Sequence, residues 1–189
     1  MPQIDPNALV SPGAHIADDA TVWAFTQVRE KAVIGAGTSI GSHSYIDSGV
    51  IIGANCKVQS GALIFQGAIV EDGVFVGPGA VITNDRFPRA VGPDGAKKEA
   101  GDWHLEETTV RRGASLGARS LLIAGITVGE FATLAAGAVA VRDVPPHALV
   151  AGVPARIIGW VCCCGVRMQV EGNQGSCSAC SRHHDIQST

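Results

Sequence analysis

Charge is scarce in this 189-residue chain: Asp, Glu, Lys and Arg make up 16% of it, and the formal net charge is −3. No basic stripe runs along the sequence, which argues against a nucleic-acid partner. Long apolar runs are missing too. None approaches the roughly eighteen residues that a membrane-crossing helix needs, and the N-terminus lacks the positive-then-apolar pattern of a secretory signal. A soluble, cytoplasmic protein is expected. Cysteine is almost absent from the body of the chain. Of six, Cys56 stands alone and the other five crowd between Cys162 and Cys180. Such clustering, without secretory features, points to metal rather than to disulfides.

What the chain does have is a length fitting one domain with a small appendage, 24 glycines and a six-residue repeat. Stepping by six from Val10 gives Ile16, Val22, Val28, Ile34, Ile40, Ile46, Ile52, Val58, Ile64, Val70, Val76 and Ile82, every one a β-branched aliphatic. Four places after each lies a small or thin residue, from Ala14 and Ala20 to Val74 and Ala80. Three places after lies, most often, glycine (Gly13, Gly37, Gly49, Gly61, Gly67, Gly73, Gly79), with Asp19, His43 and Asn55 among the exceptions. Those residue types best tolerate a positive φ.

Each hexad therefore reads as a short strand and a turn, with the branched residue pointing inward, the small one filling a narrow interior and the glycine bending the chain. Neither period two nor period 3.6 generates these columns. Three strands per coil make a triangular prism whose turns of about eighteen residues stack at about 4.8 Å. Each coil touches only its neighbours. The register breaks once. Val110, Leu116, Leu122, Val128 and Leu134 resume the ladder, with Ala140 as a sixth member, but Ile82 and Val110 are 28 residues apart, which is not a multiple of six. The segment 83–109 is thus expected to leave the prism as a functional loop. Its Asn84-Asp85-Arg86-Phe87-Pro88-Arg89 and Trp103-His104 supply specific chemistry. The expected organisation is a β-helix domain over 1–159, including a C-terminal cap, and a Cys-rich tail over 160–189.

The repeat resembles that of the hexapeptide-repeat acyltransferases. That resemblance implies an all-β, left-handed parallel β-helix, against the right-handed rule for parallel crossovers, and prisms that associate as homotrimers with acyl-CoA between subunits. The exit run Val141-Arg142-Asp143-Val144-Pro145-Pro146-His147 through Ala151-Gly152-Val153-Pro154-Ala155-Arg156 is similar to theirs. So are Ile82-Thr83-Asn84-Asp85, Pro88-Arg89, Gly117-Ala118-Arg119-Ser120 and Gly159-Trp160 ahead of cysteines, which together resemble the nucleotide-sugar N-acetyltransferases. Within that group the nearest act on the 3-amino group of UDP-2-acetamido-3-amino-2,3-dideoxyglucuronate or of dTDP-3-amino sugars. The resemblance spans roughly residues 5–165. It implies acetyl-CoA as co-substrate and a nucleotide-linked amino sugar as acceptor, in surface polysaccharide or glycoconjugate biosynthesis.

Such a reaction must hold an amine near a thioester and aim donors at the oxyanion that develops on the carbonyl. Asn84 matches the family's active-site asparagine; an amide is no base, so its expected role is hydrogen bonding. Steps of eighteen back from Asn84 meet Gln66, Ser48 and Glu30, one outer edge of the prism. Gln66, Asp85, Arg89 and His104 are the candidate substrate contacts. His43 sits at a turn position, and a dedicated base is not required when the departing sulfur collects the proton. Arg142 and Arg156 near the C-terminal rim, and the outward Arg119, are candidates for the CoA phosphates. Small Ala124, Gly125 and Ala136 leave room for a pantetheine arm.

In the tail, Cys162 and Cys164 precede Cys177-Ser178-Ala179-Cys180, whose spacing is that of a zinc knuckle. These four are the candidate ligands of a structural zinc without a catalytic part, with His183 or His184 as a substitute. The first pair has one intervening residue where zinc ribbons more often have two. Two further readings are a hexapeptide acyltransferase with another acceptor and a non-catalytic scaffold. A prism-shaped carbonic anhydrase is disfavoured because His15, His43, His104 and His147 are scattered, without paired spacing.

Overall fold

A computed structural model describes residues 1–99 and 101–186. Its strands, mostly two residues long, form three parallel walls of a triangular prism and a separate three-stranded antiparallel ribbon. The first wall has nine strands, eight parallel ones from Gln3–Ile4 to Ala148–Ala151 and a ninth, Arg156–Trp160, that closes it antiparallel. The second has seven, from Leu9–Val10 to Val139–Ala140, and the third six, from His15–Ile16 to Thr127–Val128. The fold is the left-handed parallel β-helix, and the described residues contain no helix long and apolar enough to cross a membrane.

Register follows the eighteen-residue coil. Lys57 pairs with Ser39 and Phe75 in the first wall, Leu63 with Tyr45 and Val81 in the second, Ile69 with Ile51 and Thr109 in the third. The branched column fills the axis: from Val22 to Ile82 every member is at most 1% exposed, whereas Val10 and Ile16 are half-buried against the same core. The small column is buried beside it, and its hydroxyls tie successive coils together. Thr26, Thr38 and Ser44 donate to the carbonyls of Gly41, Gly53 and Gln59 at 2.9, 2.7 and 3.2 Å. A wider side chain at those places would leave no space for the opposite walls.

The turn column is left-handed beyond the residue types that favour it. Gly37, His43, Gly49 and Asn55 have φ between 56° and 68°, but so do Phe25 and Lys31, at 61° each. Asp19 is not among the positive-φ positions, so the first such corner is Phe25. A bulky residue there costs about 1 kcal/mol. Hydrogen bonds donated to the coil before, Phe25 N to Asn7 O and Lys31 N to Gly13 O, and a 5.0 Å stack of Phe25 on His43 offset it.

The excursion leaves after Val81–Ile82 and returns at Thr108–Val110, so the third wall resumes at Thr108, two residues ahead of the expected boundary. The hexad begins with its small residue, and Thr108 is that residue, pairing with Ala68. Across the excursion the partner offset widens from 18 to 40, as for Phe75 with Ser115 (115 − 75). At the other end Trp160 packs against both the prism core and the ribbon core.

Candidate active site

Three corners join the walls, and the loop springs from the one between the second and third. On this corner the stack runs Glu30, Ser48, Gln66, then the loop, then Ala124 and Arg142. Ser48 Oγ donates to the Glu30 carbonyl at 3.0 Å, Thr108 N to the Gly67 carbonyl at 3.1 Å, and Gly125 N to Thr108 Oγ1 at 3.1 Å. The ladder of eighteen is therefore a physical edge. Asp47 organises it. Its Oδ1 accepts from the Tyr45 hydroxyl and from Ser48 N at 2.9 and 2.8 Å, and its Oδ2 accepts from Gln66 N at 3.2 Å. Burial, with Asp47 alongside, pushes the Tyr45 phenol above its ordinary range.

Asn84 sits where the strand ends and the loop begins. It is half-buried, its carbonyl accepts from Glu106 N at 3.4 Å, and its side-chain amide makes no hydrogen bond among the described residues. It lines a cleft of about 440 Å³ with Asp85, Arg89, Ala90, Lys97, Lys98, Glu99 and Trp103. Three cations thus face one cavity of a chain that is acidic overall. Asp85 is also a turn former, Oδ1 accepting from Phe87 N at 2.8 Å, and Arg89 Nη1 donates to the Pro88 carbonyl at 2.8 Å. His104 is exposed and does not line this cleft; Gln66 is exposed one coil away on the same corner. Lys97, Lys98 and the cleft-lining place of Trp103 were not legible beforehand. The one available signal was the Lys97-Lys98 pair, half of the four lysines in the chain.

The candidate cofactor residues divide between two corners. Arg142 and Arg156 are both exposed and share a cleft of about 260 Å³ at the C-terminal end with Asp143, Pro145 and Ile157. Ala124 and Gly125 lie on the loop corner, but the returning loop lies across it: Ala124 is fully buried, and a Cβ on Gly125 would collide with the Glu106 carboxylate. They form the seat of the loop in this chain, not an open wall. Arg86 holds Glu106 there through an ion pair at 3.4 Å. Arg119 and Ala136 stand on the other margin of the second wall, at the corner that also carries His43, where Arg119 N donates to Pro78 O and Gly137 N to Ala118 O. Arg119 holds φ at 54° and is exposed.

In the ribbon, strands Gln169–Glu171, Gln174–Ser176 and His183–Asp185 pair antiparallel. Two tight turns face each other beside them. Gly165 N donates to Cys162 O at 2.8 Å and Ser181 N to Cys177 O at 2.9 Å. The sulfurs of Cys162, Cys164, Cys177 and Cys180 lie within 4.8 Å of one another, and a second group of Cys162, Cys163 and His184 overlaps them. Burial pushes the Cys162 thiol up to about 12. At Cys177 burial is outweighed by the amides of Ala179 and Cys180, which hold the thiol down at about 7. Cys56 is remote, inside the prism, and burial raises its thiol as well.

The repeat and the walls together define a left-handed parallel β-helix built from hexapeptide repeats. Residues 31–66 match the model of the bacterial transferase hexapeptide (six repeats), and residues 112–140 match the hexapeptide repeat of succinyl-transferase. The chain is 45% identical over 76 residues to dTDP-3-amino-3,6-dideoxy-alpha-D-galactopyranose 3-N-acetyltransferase of Aneurinibacillus thermoaerophilus, 40% of each chain. It is 41% identical over 71 residues to serine acetyltransferase of Escherichia coli, covering 38% of this chain and 25% of that one. It therefore spans less than half the length of these relatives. A Bacillus cereus structure classed as an acetyltransferase superposes with a TM-score of 0.65 at 22% identity, covering 82% of this chain and 85% of that one. That likeness is one of fold.

Proposed function

We propose that this chain is an acetyl-CoA-dependent N-acetyltransferase acting on the amino group of a nucleotide-linked amino sugar, with a UDP- or dTDP-linked 3-amino sugar as the favoured acceptor. One observation carries it: the amide of Asn84, without a hydrogen-bond partner among the described residues, borders a cleft where Arg89, Lys97 and Lys98 outnumber Asp85 and Glu99. Three cations suit the diphosphate of a nucleotide sugar, Trp103 offers an apolar surface beside them, and the free amide is available to the reacting groups. The amino-sugar acetyltransferase with 45% identity over 76 residues supports this choice of acceptor.

In the reaction the amine nitrogen bonds to the thioester carbonyl carbon, the carbon–sulfur bond breaks and CoA leaves as thiolate. Asn84 donates from its side-chain N–H to the carbonyl oxygen as charge develops, or accepts from the amine with its own oxygen. Either contact orients the pair and needs no proton transfer to the protein. The proton lost by the amine ends on the departing sulfur, so the balance closes without a side-chain base. Arg142 and Arg156, facing one small cleft, would receive phosphates of CoA. Arg119 and Ala136 lie a full wall away from Asn84, so one chain cannot gather both margins around a single thioester. A homotrimer that sets one chain's far corner against its neighbour's loop corner would unite them.

The test is acetyl-CoA consumption across UDP- and dTDP-linked 3-amino and 4-amino sugars, with free serine as control. The expected result is turnover with a 3-amino nucleotide sugar, yielding the N-acetyl product and none with serine. Acetylation of serine alone, or no CoA release with any acceptor, would overturn the reading.

A further inference from the structure

The last thirty residues carry a site that acetyl transfer does not use. We propose that Cys162, Cys164, Cys177 and Cys180 bind one zinc ion, and that His184 clasps this metal ribbon to the end of the prism. The donor geometry matches the ion. Four thiolates at about 2.3 Å from a tetrahedral zinc stand about 3.8 Å apart. Cys162 and Cys180 sulfurs are 3.5 Å apart, and those of Cys164 and Cys177 are 3.6 Å apart. Each pair of ligands in sequence sits on a tight turn that ends at a left-handed residue, Gly165 at 86° and Ser181 at 57°. The amides of those two residues turn back onto Cys162 O and Cys177 O, so the two half-sites are shaped by backbone independently of an ion. Few apolar residues hold the ribbon: Cys162, Met168, Cys177 and Ile186 are its whole buried cluster among the described residues. A core that small needs a metal or cross-links to stay folded.

The overlapping set of Cys162, Cys163 and His184 is the poorer competitor. It offers three donors, and Cys163 is already engaged by Arg182 Nη1 at 2.8 Å. With the ion on the four thiolates, whose summed charge exceeds that of zinc by two, the surplus falls beside Arg182 and His184. His184 Nε2 lies 3.2 Å from Cys162 Sγ, the distance for an N–H donor to a bound thiolate. The same ring packs 4.5 Å from His147, which donates from Nδ1 to Val161 O at 2.8 Å and stacks on Phe131 at 5.4 Å. Phe131 and His147 belong to the corner between the third and first walls, so ligand and prism are joined through two imidazoles.

Metal analysis of the purified 189-residue protein tests the site without reference to activity. The expected result is about one zinc per chain, replaceable by cobalt with the intense thiolate-to-metal absorption of a tetrahedral four-sulfur site. Cys177→Ser should hold less than about a tenth of that zinc, whereas Cys163→Ser and His184→Gln keep it. In His184→Gln the ribbon amides of Val161 and Met168 should exchange faster while the prism strands do not. Failure of the wild-type protein to bind zinc or cobalt under reducing conditions would overturn the site. So would loss of zinc from Cys163→Ser as complete as from Cys177→Ser. Unchanged exchange in His184→Gln would overturn the clasp.

Discussion

Thr38 and Ser120 occupy the same place in the hexad and differ in one respect. Thr38 donates to Gly53 O and accepts from Cys56 N at 2.9 Å, whereas Ser120 Oγ is buried with no partner among the described residues. A buried hydroxyl without a hydrogen bond is a net loss. Ser120→Ala should therefore hold or raise the unfolding free energy by up to about 1 kcal/mol, and Thr38→Ala should lower it by about 1–2 kcal/mol, in urea melts. Cys56 gives a second check: it is fully buried and donates to Glu71 O at 3.1 Å. A thiol reagent should leave it unmodified in folded protein and label it only in denaturant. The inward aliphatics were legible one by one, because burial and period fall on the same residues. Asp47 was not, since nothing in its neighbours announces that its carboxylate reaches the amide of Gln66 across a coil. The two candidate histidines are separated by structure: His43 stacks on Phe25 at the far corner, and His104 is exposed on the loop. Alanine at either should leave turnover within about tenfold of wild type, because a general base, worth about a hundredfold or more, is not asked of them.

At the scale of the element, the corner decides what a substitution does. A Cβ at Gly41 would stand 2.5 Å from the Ser60 nitrogen of the next coil, a backbone atom that cannot move alone. Gly49 has φ +68° and open space around it. Gly41→Ala should thus lower the melting temperature by several degrees, while Gly49→Asn, which tolerates that φ, should leave it nearly unchanged, by calorimetry. The two glycines look alike in composition and differ in backbone conformation and in what stacks on them. The repeat also announced where the prism stops and restarts, because a break in a column of six is visible without coordinates. It could not announce the loop's interior. From Thr83 to Glu107 there is no period, so neither the gathering of Lys97, Lys98 and Arg89 beside Asn84 nor the descent of Glu106 onto Gly125 had a signal to follow. The ribbon stands between these cases. The grouping of its four cysteines followed from spacing, its three strands did not.

For the molecule as a whole, a solenoid leaves outward-facing walls along its full length, and here the second wall presents Tyr45, Leu63, Val81, Leu121 and Val139, all half-buried in one chain. Residues proposed for cofactor binding stand on both margins of that wall. Light scattering should accordingly give a mass of three times 19.4 kDa. Narrower than assembly is the proposal that acetyl transfer takes place at the corner where the loop leaves the prism, with Asn84 at the reacting centre. The most direct measurement is kcat for CoA release by wild type and Asn84→Ala, side by side, on a 3-amino nucleotide sugar, with thermal midpoint and zinc content recorded for both. Loss of about a hundredfold to a thousandfold in kcat, with midpoint and zinc unchanged, is the predicted result. Turnover by Asn84→Ala within a few-fold of wild type would contradict it.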